Sequence, residues 1–230
     1  MLIIIHKYSP IIYFFFVKII LNINPCPNSI YMIRFRKFHN IFLSLLSFIM
    51  LSLITYSTYN SNKFISVNSL LCKKYENNFI SIFSTQIFLY SKYLEWLDTL
   101  FLHLSNKKIS YLQYYHHMST AFLTYVNLMD YISPHIFIFQ FLNCLVHVPM
   151  YWYFAYPNGY LYKYRKNITK IQILQHIICI MTIIYTFNLN NCKQNEYGNF
   201  CGLLLYFMYL TFFINFYFKK YYFFLFKKNI

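Results

Sequence analysis

"ISYLQYYHHMSTAFLTYVNLMDY", residues 109–131, decides how this chain folds. The run is long and apolar enough to cross a bilayer as a helix, for which about 20 mostly apolar residues suffice. Yet it sets His116 beside His117, with Gln113 one turn earlier. At helical spacing the three side chains fall at i, i+3 and i+4, on one face. An ionisable group inside hydrocarbon is costly and reads as a functional site. That face must therefore turn toward other helices or a wet cavity.

The rest of the chain fits a membrane setting. Of its 230 residues 59% are apolar, 24% aromatic and 11% charged, about half the charge of an ordinary soluble domain. The abundance of Phe, Tyr, Ile, Asn and Lys points to an AT-rich coding sequence, which inflates hydropathy, so segment length is the better test. Candidate spans are 2–21, 40–59, 79–104, 109–131, 134–156, 170–188 and 200–226. They use up most of the sequence, so residues 1–230 read as one integral, all-α membrane domain of seven transmembrane helices. The first span lacks a basic start and a small-residue cleavage site and reads as a retained helix. "NINPCPNS" (22–29) and "YPNGY" (156–160) are turn-rich connectors.

Net charge is +15, and its placement orients the bundle. With the N-terminus lumenal, thirteen basic residues fall in cytosolic segments, among them Arg34, Arg36, Lys37, Lys107, Lys108 and the cluster Lys163, Arg165, Lys166, Lys170. Five fall in lumenal ones: Lys7, Lys63, Lys73, Lys74 and Lys193. The positive-inside rule then places the C-terminus in the cytosol. The terminal "KKNI" has the spacing of a dilysine retrieval signal for the endoplasmic reticulum. No basic patch is free of the membrane boundary, which argues against a nucleic-acid partner; cytosolic loops beside anionic lipid explain the charge. Cys72, Cys192 and Cys201 lie in segments assigned to the lumen, where disulfides persist. A Cys72–Cys192 bridge is one reading and three free thiols the other.

Polar stripes recur on other spans. "SKYLEWLDTLF" spaces Lys92, Glu95, Asp98 and Thr99 along one helical face. "NCLVHVPMYWYF" aligns Asn143, His147, Met150 and Tyr151, and "TKIQILQHI" aligns Thr169, Gln172 and Gln175, with His176 just beside. One buried histidine is ordinarily a hydrogen-bonded core residue. Three helices that each turn amide or imidazole groups inward imply a shared polar chamber. An ion-pair cluster that only fixes helix packing remains the alternative for Lys92, Glu95 and Asp98.

"KYLEWLDTLF", "LQYYHHMSTAF", "NCLVHVPMYWYF" and "TKIQILQ" resemble, in order and at matching intervals, the signature blocks of the ELO family of fatty acid elongases, the very-long-chain 3-oxoacyl-CoA synthases. The likeness runs from about residue 34 to the C-terminus. It implies seven helices around an acyl tunnel in the endoplasmic reticulum membrane. It also implies condensation of an acyl-CoA with malonyl-CoA to a 3-oxoacyl-CoA, CoA and carbon dioxide. No metal or cofactor beyond those two substrates is implied. Partners by resemblance are the ketoreductase, dehydratase and enoyl reductase of the elongation cycle, membrane lipid and a second copy of the chain. Gln113 stands where the family's histidine box usually begins with histidine, which disfavours that position as nucleophile.

The chemistry needs a group that attacks a thioester and releases its thiolate. A neutral imidazole does this, and neither a serine–histidine–acid set nor a cysteine on the histidine face competes with it. His116 is the expected nucleophile, forming the acyl-imidazole that the resemblance implies. His117 and His147 would position malonyl-CoA or move protons. Gln113, Asn143 and Gln172 are candidate donors to the enolate oxygen, with Tyr151 and Gln175 on the same faces. Lys92, Glu95 and Asp98 would support the chamber, with a CoA carboxylate or phosphate as another partner for Lys92. Lys163, Arg165, Lys166 and Lys170 would form a docking collar for CoA. Two rival classes use similar features. A membrane di-iron desaturase or hydroxylase needs more histidine clusters than one pair. A seven-helix transporter or lipid-binding protein would use the stripes as a path, with Pro149 breaking a helix.

Overall fold

The computed structural model describes residues 2–62, 67–72, 79–129, 132–189 and 192–222. Lys63, Lys73, Lys74 and the terminal lysine pair of "KKNI" lie outside them. The elements are α1 (Leu2–Lys7), α2 (Ser9–Leu21), α3 (Ile30–Asn62), α4 (Val67–Cys72), α5 (Phe79–Leu94), α6 (Leu97–Leu104), α7 (Tyr111–Leu128), α8 (Ile136–Ala155), a 3₁₀ turn at Tyr160–Tyr164, α9 (Arg165–Phe187) and α10 (Glu196–Tyr221). No strand occurs among the described residues.

Two expected spans are each broken into two helices. Residues 2–21 divide at Tyr8, because Pro10, in the first turn of α2, lacks an N–H and its ring clashes with the carbonyl four residues back. Residues 79–104 divide at Glu95–Trp96. There Trp96, Asp98 and Thr99 donate to the carbonyls three residues back rather than four (Tyr93, Glu95 and Trp96), a local tightening of 3₁₀ type. Elsewhere the boundaries shift. α3 begins ten residues before the expected span, and α9 begins at Arg165, so Arg165, Lys166 and Lys170 lie on a helix instead of in a loop.

Seven crossings were expected. Among the described residues, four helices are each long and apolar enough to cross a bilayer: residues 30–60, Ile136–Ala155, Tyr160–Phe187 and Glu196–Tyr221. α7 has 18 residues, but Gln113, His116, His117, Thr120, Thr124 and Asn127 dilute its hydropathy. α5 alone has 16 residues.

Six helices pack in a closed ring in the order α3, α5, α7, α10, α9, α8 and back to α3. α2 lies outside the ring against α7 and α6. Polarity is inverted relative to a soluble protein. On α3, His39, Asn40, Ser44 and Ser47 are buried, while Phe38, Phe42, Leu45 and Phe48 are exposed. On α9, Gln175 and His176 are buried, while Ile171, Leu174 and Met181 are exposed. Apolar faces of this length suit lipid, and this arrangement marks a multi-pass membrane protein.

One end of the ring is closed by polar side chains. Asn195 caps α10 by accepting from the Gly198 N–H at 2.8 Å, and its amide donates to the Val126 and Met129 carbonyls at 2.7 and 3.1 Å. His135 pairs with Asn199 at 2.9 Å, and Gln194 donates to the Thr186 carbonyl. A Cys72–Cys192 disulfide ties α4 to the segment preceding α10. Cys26, Cys144, Cys179 and Cys201 are free thiols.

Gly198 permits this closure, since a Cβ there would lie 2.9 Å from Asn127 Oδ1 and 3.0 Å from Asn195 Cγ. Both amides are fixed by hydrogen bonds to backbone carbonyls. Gly198→Ala should therefore destabilise the protein by about 1–3 kcal/mol through overpacking. Gly202→Ala meets only the flexible Ile183 Cδ1, at 3.2 Å, and should be milder. Thermal unfolding of both variants in detergent checks the order.

Candidate active site

Ser110 starts α7. Its hydroxyl accepts from the Gln113 N–H at 3.1 Å, satisfying a backbone donor that the first turn leaves open. The helix begins at Tyr111 and carries Gln113, His116 and His117 onto the inner face of the ring. Opposite, α8 brings Asn143, His147, Met150 and Tyr151, and α9 brings Thr169, Gln172, Gln175 and His176. All of these line one cavity of about 190 Å³ that opens at the end of the ring carrying Arg165 and Lys220. The polar faces of α7, α8 and α9 thus meet at one place.

The α5–α6 break supplies the charges. Lys92 and Glu95, each 2% exposed, form an ion pair at 2.7 Å. Lys92 Nζ also donates to Asn143 Oδ1 at 2.7 Å. Asn143 Nδ2 lies 3.2 Å from His147 Nε2, and His147 Nδ1 lies 3.5 Å from Glu95 Oε1. With Asn143 Nδ2 as donor, His147 carries its proton on Nδ1, facing the carboxylate. Asp98 accepts from Tyr151 Oη at 2.8 Å and from His39 Nε2 at 3.0 Å. His117 Nε2 stands 3.9 Å from the same carboxylate. The Trp96 indole donates to the His117 carbonyl at 3.0 Å, pinning the break against α7.

Two carboxylates therefore each serve one histidine of the cavity. Among the described residues the His116 ring makes no hydrogen bond. It packs on the Tyr209 ring at 5.0 Å between centroids, and Tyr209 Oη pairs with Ser119 Oγ at 2.7 Å. His117 Nδ1 and Glu95 Oε2 are buried without a partner among the described residues.

Several placements differ from the spacing argument. Thr99 does not join the chamber; its hydroxyl pairs with Tyr13 Oη at 2.7 Å, because the break at Glu95 rotates α6 toward α2. Asn143 is engaged at both amide atoms, by Lys92 at Oδ1 and by His147 at Nδ2, which leaves one of its two N–H donors. Gln172 Nε2 contacts Met150 Sδ at 3.2 Å. Lys92 is enclosed between Glu95 and Asn143 and away from the basic opening, so it does not reach a CoA phosphate there. Of the expected docking residues only Arg165 lines the cavity. Lys163 and Lys166 stack on Tyr160 and Tyr222 at 4.1 and 4.6 Å, and Lys170 is exposed on α9.

Sequence reasoning missed three participants. Lys220 lines the opening beside Arg165. His39, from the early part of α3, holds Asp98. His176 lines the cavity although the helical spacing sets it just beside the stripe. Its adjacency to Gln175 was the available signal, since two successive residues of a helix can both border a cavity.

Helices with lipid-suited outer faces, packed around a buried histidine and carboxylate centre, define a membrane protein with an internal polar site. The chain belongs to the family described as "ELO: GNS1/SUR4 family", whose match extends over residues 3–228. It is similar to fatty acid elongase A of Dictyostelium discoideum, 30% identical over 73% of this chain and 61% of that protein. It is also similar to putative fatty acid elongase 2 of Schizosaccharomyces pombe, 33% identical over 62% of this chain and 43% of that one. Fatty acid elongase 3 of Trypanosoma brucei brucei is 27% identical over 60% of this chain and 49% of its own length. The chain thus matches about half the length of these curated relatives.

The ion pair gives a stability test. Lys92→Met leaves Glu95 charged and buried alone, which should cost about 3–5 kcal/mol. Adding Glu95→Gln should recover much of that loss. Thermal unfolding of the single and double variants reads the difference.

Proposed function

We propose that this chain is a fatty acid elongase that condenses an acyl-CoA with malonyl-CoA through an acyl-imidazole on His116. The observation that carries this reading is the contrast among the cavity histidines. His117 and His147 stand within 3.9 and 3.5 Å of carboxylates, whereas the His116 ring, which borders the same cavity, has neither a carboxylate nor a hydrogen-bond partner among the described residues. A nucleophile needs an uncommitted lone pair.

In the first half-reaction a His116 ring nitrogen attacks the thioester carbonyl. The C–S bond breaks, the departing thiolate takes the proton that the other His116 ring nitrogen gives up, and CoA leaves behind a neutral acyl-imidazole. In the second, malonyl-CoA loses carbon dioxide, and its electron pair passes to an enolate. The enolate carbon attacks the acyl-imidazole, the C–N bond breaks, the released ring takes a proton from water to restore the neutral imidazole, and 3-oxoacyl-CoA leaves. Gln113 borders the cavity and would donate to the enolate oxygen, while His117, whose Nε2 faces Asp98, would move protons. Glu95 and Asp98 supply negative charge beside His147 and His117. Neither a metal nor a further cofactor is required by these steps.

CoA phosphates would meet Arg165 and Lys220 at the opening. That end would face the cytosol, in accord with the basic residues of α9 and the early part of α3. The opposite end carries the Cys72–Cys192 disulfide, which suits the lumen of the endoplasmic reticulum. A 3-oxoacyl-CoA product must next be reduced, dehydrated and reduced again, so the ketoreductase, dehydratase and enoyl reductase of the cycle are the partners in sequence.

In microsomes expressing the chain, labelled malonyl-CoA should release carbon dioxide only when acyl-CoA is present. His116→Ala should bring that release to background; full activity in this variant would remove His116 as nucleophile. Charge reversal of Arg165 and Lys220 should raise the acyl-CoA KM roughly tenfold or more with kcat little changed, as expected for lost charge-assisted contacts made equally in ground and transition states.

A further inference from the structure

A second cavity of about 40 Å³ continues from the first along the same helices, toward the end of α7 and the start of α8. His116, Asn143, Gln175 and His176 border both cavities. A continuation that receives only hydrocarbon should be lined by apolar groups or by polar groups already paired. This one is not. Gln140 is 1% exposed, and neither of its amide atoms has a hydrogen-bond partner among the described residues. Thr120 and His176 line the same space, and Thr120 Oγ1 and His176 Nδ1 are in the same condition. Buried polar atoms in native proteins are nearly always paired, so a cluster of unpaired ones on residues that line one cavity calls for an occupant that pairs them.

Resting on the elongase reading above, we propose that this inner cavity is a subsite for an oxygenated position on the acyl chain, and that Gln140 is its specificity-determining residue. A hydroxyl both donates and accepts. It can therefore satisfy the amide oxygen and the amide N–H of Gln140, with Thr120 as a further partner. A saturated methylene satisfies neither. Gln140 precedes His147 by seven residues on α8, about 10 Å along the helix axis. The favoured oxygen thus sits in mid-chain, away from the thioester. The cavity is small enough that one polar group inside it meets several of these side chains together.

The test uses microsomes carrying the full chain, labelled malonyl-CoA, and saturated acyl-CoAs paired with mid-chain hydroxyacyl-CoAs of equal length. The native protein should elongate a hydroxylated chain with a kcat/KM at least tenfold above its saturated counterpart. Gln140→Leu should abolish or reverse that ratio, and Thr120→Val should reduce it. Because each ratio is measured within one protein, a lower folded amount cancels. Equal rates for both chains in the native protein would overturn the subsite while leaving the elongase reading intact, and would assign the unpaired groups to bound water. No condensation with any acyl-CoA would overturn the elongase reading itself, and the subsite with it.

Discussion

A lysine and a glutamate, paired at 2.7 Å in the interior of a lipid-suited bundle, constrain nearly everything around them. Each charge alone would cost about 2.5–3.5 kcal/mol at mid-membrane by insertion scales. Together they are tolerable because each is paired again by neighbouring polar groups, with only Oε2 of the Glu95 carboxylate unpartnered among the described residues. Lys92 takes Asn143, Asn143 takes His147, and His147 faces Glu95. This circuit joins α5 to α8 across the inside of the ring and orients one histidine. The adjacent break in the helix sets Asp98 against His39 on α3 and Tyr151 on α8, with His117 nearby. The charges therefore serve first as a frame for imidazoles.

That frame explains a division of labour among residues that look alike in sequence. His116 and His117 are neighbours, with rings 5.5 Å apart and nearly perpendicular. One turns to the carboxylate and the other to the aromatic wall of Tyr209 and Phe213. Helical geometry alone separates their environments, since consecutive positions differ by about 100° around the axis. A ring beside a carboxylate and a ring beside an aromatic wall thus stand next to each other on one helix.

The fold class and the convergence of α7, α8 and α9 were legible in the sequence, because polar residues at three- and four-residue spacing in apolar runs admit few other arrangements. Glu95 as a break point was not legible. A uniform helix was the natural reading of "SKYLEWLDTLF", and only the packing of Trp96 on α7 and the tight turns at Asp98 and Thr99 interrupt it. The fate of Thr99 followed from the same break. His39 stayed hidden because its partner is 59 residues away, and no periodicity reports a contact between helices. Lys220 was counted as one more basic residue near a membrane boundary. Its place at the opening depends on how α10 packs against α7 and α9.

Covalent acylation of His116 inside this frame is what we propose, and rapid-quench peptide mass analysis of purified protein mixed with acyl-CoA, without malonyl-CoA, tests it. One equivalent of CoA should be released per protein, with an acyl group on the peptide containing His116. Condensation competence without CoA release in that half-reaction, or an acyl group carried by any other residue, would contradict it.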